Sequence, residues 1–192
     1  MSDRAGLKTA RVFIALWPDD AATRAELAAL GARLHEAVSG RSTRSETIHL
    51  TLVFIGDLAR ERIPDLVGKL ATVAAPSFRI EFDRIDCWRH NRIAYLAPTR
   101  APDELFDLVA KLEANLEQLA IPFDRRPYKP HVTLVRKAEC AKANPASGRV
   151  SHAPVWGDSI PIMWSAKRFL LVESVTTPEG VRYDELGSFG LL

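Results

Sequence analysis

His49-Leu-Thr-Leu-Val53 and His131-Val-Thr-Leu-Val135 are near-copies of one pentapeptide, and they hold two of the five histidines in a chain of 192 residues. Successive side chains of a β-strand point to opposite faces. His49 and Thr51 therefore share one face while Leu50 and Leu52 enter the core, and the same parity sets His131 and Thr133 above Val132 and Leu134. One His-x-Thr says little, but repetition with matching flanks is a signal. Two strands that each present an imidazole beside a hydroxyl suit acid and base chemistry on an anion.

Working outward, Arg11–Leu16 reads as a buried strand, ended by Trp17-Pro18-Asp19-Asp20, where proline and acids favour a turn and a helix start. Leu27, Leu30, Leu34 and Val38 recur at helical spacing up to Gly40. The first motif strand runs from His49 to about Ile55 and closes at Gly56-Asp57. A helix over roughly 60–73 precedes a half-buried strand at Phe78–Phe82, with Ile93–Leu96 as its expected neighbour. Pro102-Asp103-Glu104 opens the clearest helix, whose stripe is Leu105, Leu108, Val109, Leu112, Leu116 and Leu119. Pro130 then introduces the second motif strand, a position where its missing N–H is tolerated. The stretch 137–155, rich in Ala, Ser, Gly, Pro and Asn, reads as a long exposed loop, followed by strands at Phe169–Val172 and Val181–Leu186. Helices alternating with strands, plus adjacent strand pairs, indicate an α+β fold with mixed or antiparallel sheets. Each motif follows an amphipathic helix, which suggests two similar lobes without a linker between them.

Composition narrows the function classes. A hydrophobic content of 47% and a charged content of 26% fit a soluble globular protein. A net charge of +2 is too mild to mark a nucleic-acid binder by bulk electrostatics, although a local basic cleft is compatible with it. Met1–Lys8 has no apolar signal region and no later run reaches the length of a membrane span, so a cytoplasmic location is expected. Cys87 and Cys140 read as isolated thiols, forming neither a disulfide framework nor a zinc site. Histidines 35, 49, 90, 131 and 152 lack the short spacings of metal ligands, so neither metal nor other cofactor is expected. Proton transfer then falls to the imidazoles, which titrate near neutrality and can serve as one acid and one base. Displacement at phosphorus needs such a pair on opposite sides of the phosphorus, and the hydroxyls of Thr51 and Thr133 can bond its non-bridging oxygens.

Paired His-x-Thr-x strands resemble those of the two-histidine (2H) phosphoesterase superfamily. The flanks Arg11-Val-Phe-Ile-Ala-Leu16, His49-Leu-Thr-Leu-Val-Phe-Ile-Gly56 and Arg126-Pro-Tyr-Lys-Pro-His-Val-Thr-Leu-Val-Arg136 are similar to its bacterial and archaeal RNA 2′,3′-cyclic phosphodiesterases, historically called 2′-5′ RNA ligases. Weaker similarity extends through 88–98 and 169–173. The resemblance implies a single bilobal domain over 1–192, a pseudo-twofold duplicated fold with two mostly antiparallel sheets lining a central cleft and helices packed outside. It implies a metal- and ATP-independent enzyme that opens RNA 2′,3′-cyclic phosphate ends, tRNA halves among them, to a 2′-phosphate, with reversible 2′-5′ ligation and a monomeric state. By motif position His49 would be the proton donor and His131 the acceptor, with Thr51 and Thr133 holding the phosphate. The residues alone leave the two histidine roles open, because the motifs are nearly identical. Arg136 matches the arginine closing the family's second motif, yet strict parity places it opposite His131 unless a bulge or the strand's end redirects it.

Other readings compete with these. Phe54 falls on the side of Leu50 and Leu52 and is read as core, as is Phe13. Trp88 and Tyr128 are candidates to line a nucleobase pocket, and Tyr128 is carried as a substrate-binding residue with Arg136. Arg41, Arg44, Arg125, Arg126 and Lys129 lie just upstream of the motifs, where they face RNA phosphates or are merely solvated. His35, His90 and His152 carry no motif and are read as surface. A nucleotide-binding sensor that keeps the pocket without turnover is the competing class. The same chemistry on 2′-5′ oligoadenylates or small cyclic nucleotides is the competing substrate.

Overall fold

Antiparallel pairing dominates the computed structural model, which describes residues 8–140, 161–178 and 180–192. Ten strands are described: β1 (Thr9–Leu16), β2 (Arg41–Ser42), β3 (Leu50–Ala59), β4 (Phe78–Phe82), β5 (Arg84–Trp88), β6 (Ile93–Ala97), β7 (Val132–Arg136), β8 (Ile162–Ala166), β9 (Arg168–Thr177) and β10 (Gly180–Gly190). Three α-helices accompany them, α1 (Ala21–Val38), α2 (Ile63–Leu70) and α3 (Asp103–Gln118). The main sheet runs β10-β9-β1-β3-β7-β6-β5, with β2 pairing to β7, and β4 with β8 forms a separate ribbon. The expected α+β class with antiparallel sheets is what the chain adopts.

Local chemistry accounts for the helix boundaries. The Asp20 carboxylate accepts a hydrogen bond from the Thr23 backbone N–H at 2.7 Å, an N-cap that also holds its pKa below the usual range. Asp103 and Glu104 occupy the first turn of α3, where the helix dipole favours negative charge. Leu27, Leu30, Leu34 and Val38 of α1 are buried, as are Leu105, Leu108, Val109, Leu112 and Leu116 of α3. Each helix covers the motif strand of the other half of the chain: α1 lies on β7, and α3 on β3. Gly31 of α1 fits this crossing, since a Cβ there would lie 3.9 Å from the Leu134 side chain.

Several expectations change. The strand β3 does not close at Gly56 but continues to Ala59, with Gly56 at φ +86°. Phe78–Phe82 pairs with β8, not with Ile93–Leu96, whose partner is the unexpected strand β5. Cys87 and Cys140 are not free thiols: they form a disulfide, their Cα atoms 5.7 Å apart across 53 residues of sequence. The β5-β6 hairpin and the β6-β7 pairing carry the two cysteines together, which no spacing rule could reveal. The loop expected over 137–155 lies beyond the described residues from 141 onward, as does His152.

Candidate active site

The two halves of the main sheet meet at one paired register, Leu50 opposite Val132. Continuing that antiparallel register one residue each way sets His49 opposite Thr133 and Thr51 opposite His131. Each imidazole thus faces the threonine of the other motif. Directly opposed Cβ atoms lie ~5 Å apart and diagonal neighbours ~7–8 Å apart, so the histidines can flank a phosphate while the threonines bracket it. The pseudo-twofold axis passes between Leu50 and Val132.

Both imidazoles are anchored alike. His49 Nδ1 lies 2.7 Å from the Thr47 carbonyl and His131 Nδ1 lies 2.8 Å from the Lys129 carbonyl. A carbonyl only accepts, so each Nδ1 carries the proton and each Nε2 is left for substrate. Their surroundings then diverge. His49 is walled by Trp17, stacked at 4.7 Å, by Phe13 at 5.0 Å and by Tyr183 edge-on at 5.2 Å. Its remaining edge opens onto a cavity of about 550 Å³ that Thr51, Thr133 and Arg136 also line. His131 is half-buried beside Trp88 at 4.5 Å and Tyr95 at 5.7 Å. Burial drives the His49 pKa down from 6.5 to about 4, and the charges of Arg136 and His131 push the same way against the Thr47 hydrogen bond. The His131 pKa is also lowered, first by burial and then by Arg136.

Arg136 reaches the cleft because β7 is bulged. Opposite β6, Tyr95 pairs with Thr133 and Ala94 with Val135, so Leu134 is an extra residue. One inserted residue reverses the parity of everything after it. Arg136 therefore joins the face of Thr133, and its charge acts on both imidazoles. The first motif carries the same device: Ala15 pairs with Thr51 and Ile14 with Val53, leaving Leu52 as the extra residue. The bulge at Leu52 overturns the core reading of Phe54, which turns into the cleft, pairs with Phe13 and lies under the Arg11 guanidinium at 5.0 Å. Phe13, read as core, is 4% exposed yet sits on the cleft face against His49.

The other candidates take varied places. Arg41 and Arg44 line the cavity. Arg125 and Arg126 point elsewhere, paired with Glu117 and Asp124. Tyr128 is not among the cavity-lining residues: its ring packs against Phe106 and its hydroxyl donates to the Thr51 carbonyl at 3.3 Å, which steadies the motif strand from behind. Burial raises its pKa, so the phenol stays neutral. His35 and His90 are exposed. The box of Trp17 and Tyr183 escapes motif reading. Arg11, Phe13 and Ala15 alternate along β1 and Trp17, the residue just past its end, continues that period of two, the signal that would have found it. Among the described residues no group of three or more His, Cys, Asp or Glu is placed to hold a metal ion.

An imidazole pair with opposed threonines, set at the junction of two pseudo-symmetric half-sheets, defines a phosphoesterase of the two-histidine class. The chain belongs to the LigT like Phosphoesterase family, whose model matches residues 16–95 and 96–183, one motif in each stretch. It is 30% identical over 148 residues to an RNA 2′,3′-cyclic phosphodiesterase of Bacillus subtilis, covering 74% of this chain and 76% of that one. Against the protein of that name from Escherichia coli it is 28% identical over 110 residues, 57% of this chain and 62% of the relative. The apo crystal structure of E. coli LigT superposes with a TM-score of 0.79 at 24% identity, covering 96% of this chain and 99% of that one. A structure of the same neighbour complexed with 3′-AMP gives 0.79 at 23% identity, over 95% and 98% of the two chains.

Proposed function

We propose that the chain opens 2′,3′-cyclic phosphate ends of RNA to a 2′-phosphate, using His49 as proton donor and His131 as proton acceptor. The observation that carries this reading is the crossed square of His49, Thr133, Thr51 and His131, with both Nδ1 atoms committed to carbonyls. Water attacks phosphorus as His131 Nε2 takes its proton, the bond from phosphorus to the 3′ oxygen breaks, and His49 protonates that oxygen. Thr51 and Thr133 hydroxyls donate to the non-bridging oxygens, where bonds to a charged group contribute about 1.5–3 kcal/mol each. Arg136 adds a guanidinium to the developing charge. His49 needs a proton to serve as donor, and the anionic substrate supplies the opposing field that Arg136 and burial deny it in the free chain. The relatives' names and the 3′-AMP bound to the E. coli neighbour support a nucleotide-end substrate. Run backwards on two RNA ends held together, as in a cleaved tRNA, the same steps make a 2′-5′ linkage. A cytoplasmic monomer is the state proposed here, both motifs coming from one chain. No described helix is long and apolar enough to cross a membrane.

The test is incubation with a short RNA bearing a 2′,3′-cyclic phosphate in the presence of EDTA, with product analysis. A 2′-phosphate is expected; a 3′-phosphate, or an absolute metal requirement, refutes the mechanism. Substituting either histidine by alanine is expected to cost ~10² or more in kcat.

A further inference from the structure

The cavity lined by His49, Thr51 and Thr133 continues to a pair of arginines. Arg41 of β2 lies directly opposite Arg136 of β7 in antiparallel register, so both side chains rise from the same face, and both line the cavity. Like charges placed directly opposite on neighbouring strands are destabilising. Among the described residues neither guanidinium has an ion pair, and no carboxylate lines the cavity. The close approach that creates the pair is built into the backbone. Gly40 has φ +94°, and a Cβ there would meet the Arg136 carbonyl oxygen at 2.5 Å, so only glycine lets β2 draw up to this edge. The two arginines are not equivalent: Arg136 stands on the second motif strand itself, on the face of Thr133, whereas Arg41 comes from β2, which pairs with the edge of β7 that β6 leaves open. Measured along β6, from the partner of Thr133 to the partner of Arg136, the advance is two residues, ~7 Å at the usual rise.

We infer that Arg41 forms a second anion subsite, which takes the phosphate on the 5′ oxygen of the nucleotide whose cyclic phosphate sits between His49 and His131. This rests on the function proposed above and narrows its substrate class to ends carrying a further phosphate upstream. Arg44, which also lines the cavity, is a weaker claimant because it donates to the Val181 carbonyl and pairs with Glu46.

The experiment compares uridine 2′,3′-cyclic phosphate, its 5′-phosphorylated form, and the dinucleotide UpU ending in a 2′,3′-cyclic phosphate. Wild-type kcat/KM is expected to be about tenfold higher for the two substrates with a 5′-side phosphate, with the gain in KM. Arg41→Ala should cost those two at least fivefold more than it costs the plain cyclic nucleotide, and Arg41→Lys should restore part of the loss. The slope of log kcat/KM against log salt for UpU should flatten by about 0.7, the share of one contact to a single strand. A gain confined to UpU identifies an internucleotide diester; a gain for both identifies any 5′-phosphate. Equal wild-type values for all three substrates, or an equal loss in all three on Arg41→Ala, overturns the subsite while leaving the parent activity intact. Failure of the wild-type protein to open any of them overturns the activity and the subsite with it.

Discussion

Trp17→Leu tests the account of the His49 box. Burial and neighbouring charge hold the His49 pKa about 2.5 pH units down, from 6.5 to about 4. Of the three rings around it, Trp17 alone stacks face to face, with an interplanar angle of 15°. Uncovering one of three walls should return roughly a third of that displacement, about one pH unit upward. The indole also attracts an imidazolium by about 0.5 kcal/mol, and losing this pulls back by about 0.4 pH unit. Solvent access wins, and the net change is a rise of about half a pH unit. NMR titration of the imidazole from pH 3 to 8 reads it directly, with His131, which does not touch Trp17, as the internal reference. Kinetics carry the same signature. At pH 7 the protonated fraction of His49 in the free wild-type protein is ~10⁻³, so kcat/KM should fall tenfold per pH unit above about 6.5. The variant should gain about threefold in that fraction. A His49 midpoint that stays put or drops would refute the reasoning, because the rings would then be holding charge in place, not expelling it.

Three further outcomes are expected. Glu173 is 3% exposed and accepts two hydrogen bonds from Arg60 at 2.6 and 3.3 Å, so Arg60→Met should destabilise by about 3–5 kcal/mol in urea unfolding, with the double variant Arg60→Met/Glu173→Leu recovering most of it. The Cys87–Cys140 bridge closes 53 residues, and chain entropy assigns it about 4 kcal/mol, so reductant should lower the unfolding midpoint of the wild type and leave a Cys87→Ser/Cys140→Ser variant unmoved. Because the folded His49 pKa lies below its unfolded value, its contribution is intact above pH 6.5 and is lost as pH falls toward 4; stability at pH 4.5 should be about 2–3 kcal/mol lower than in a His49→Gln variant treated identically, each referred to its own value at pH 7.5.

Elements that bury one regular face were legible in the sequence. The apolar run of β1 and the leucine stripes of α1 and α3 are local signals, and so are the paired motifs. What escaped reading depends on distant partners. The strand β4 finds β8 some 80 residues later, and β5 shows its alternation only beside β6. The bulges matter most for the site. A bulge is defined by counting residues against a neighbouring strand, and Leu52 and Leu134 look like ordinary strand leucines. Strict parity therefore sends Arg136 away from the cleft and Phe54 into the core. The equivalent bulge in both motifs brings both into the cleft, where Phe54 and Arg136 occupy matching positions and make two otherwise similar halves chemically unlike.

The crossing of the helices governs how this molecule is born. The apolar underside of β3, complete at Ala59, is covered by α3, which ends at Gln118. At usual synthesis speeds of ~5–20 residues per second, that strand waits ~3–12 s for its cover to emerge from the ribosome. During the interval α1 is likewise without β7. The first motif can take its register from β1, which precedes it, but its histidine gains its partner only when β7 docks at Leu50 opposite Val132, so the two imidazoles become a pair late, with the halves already joined by one chain.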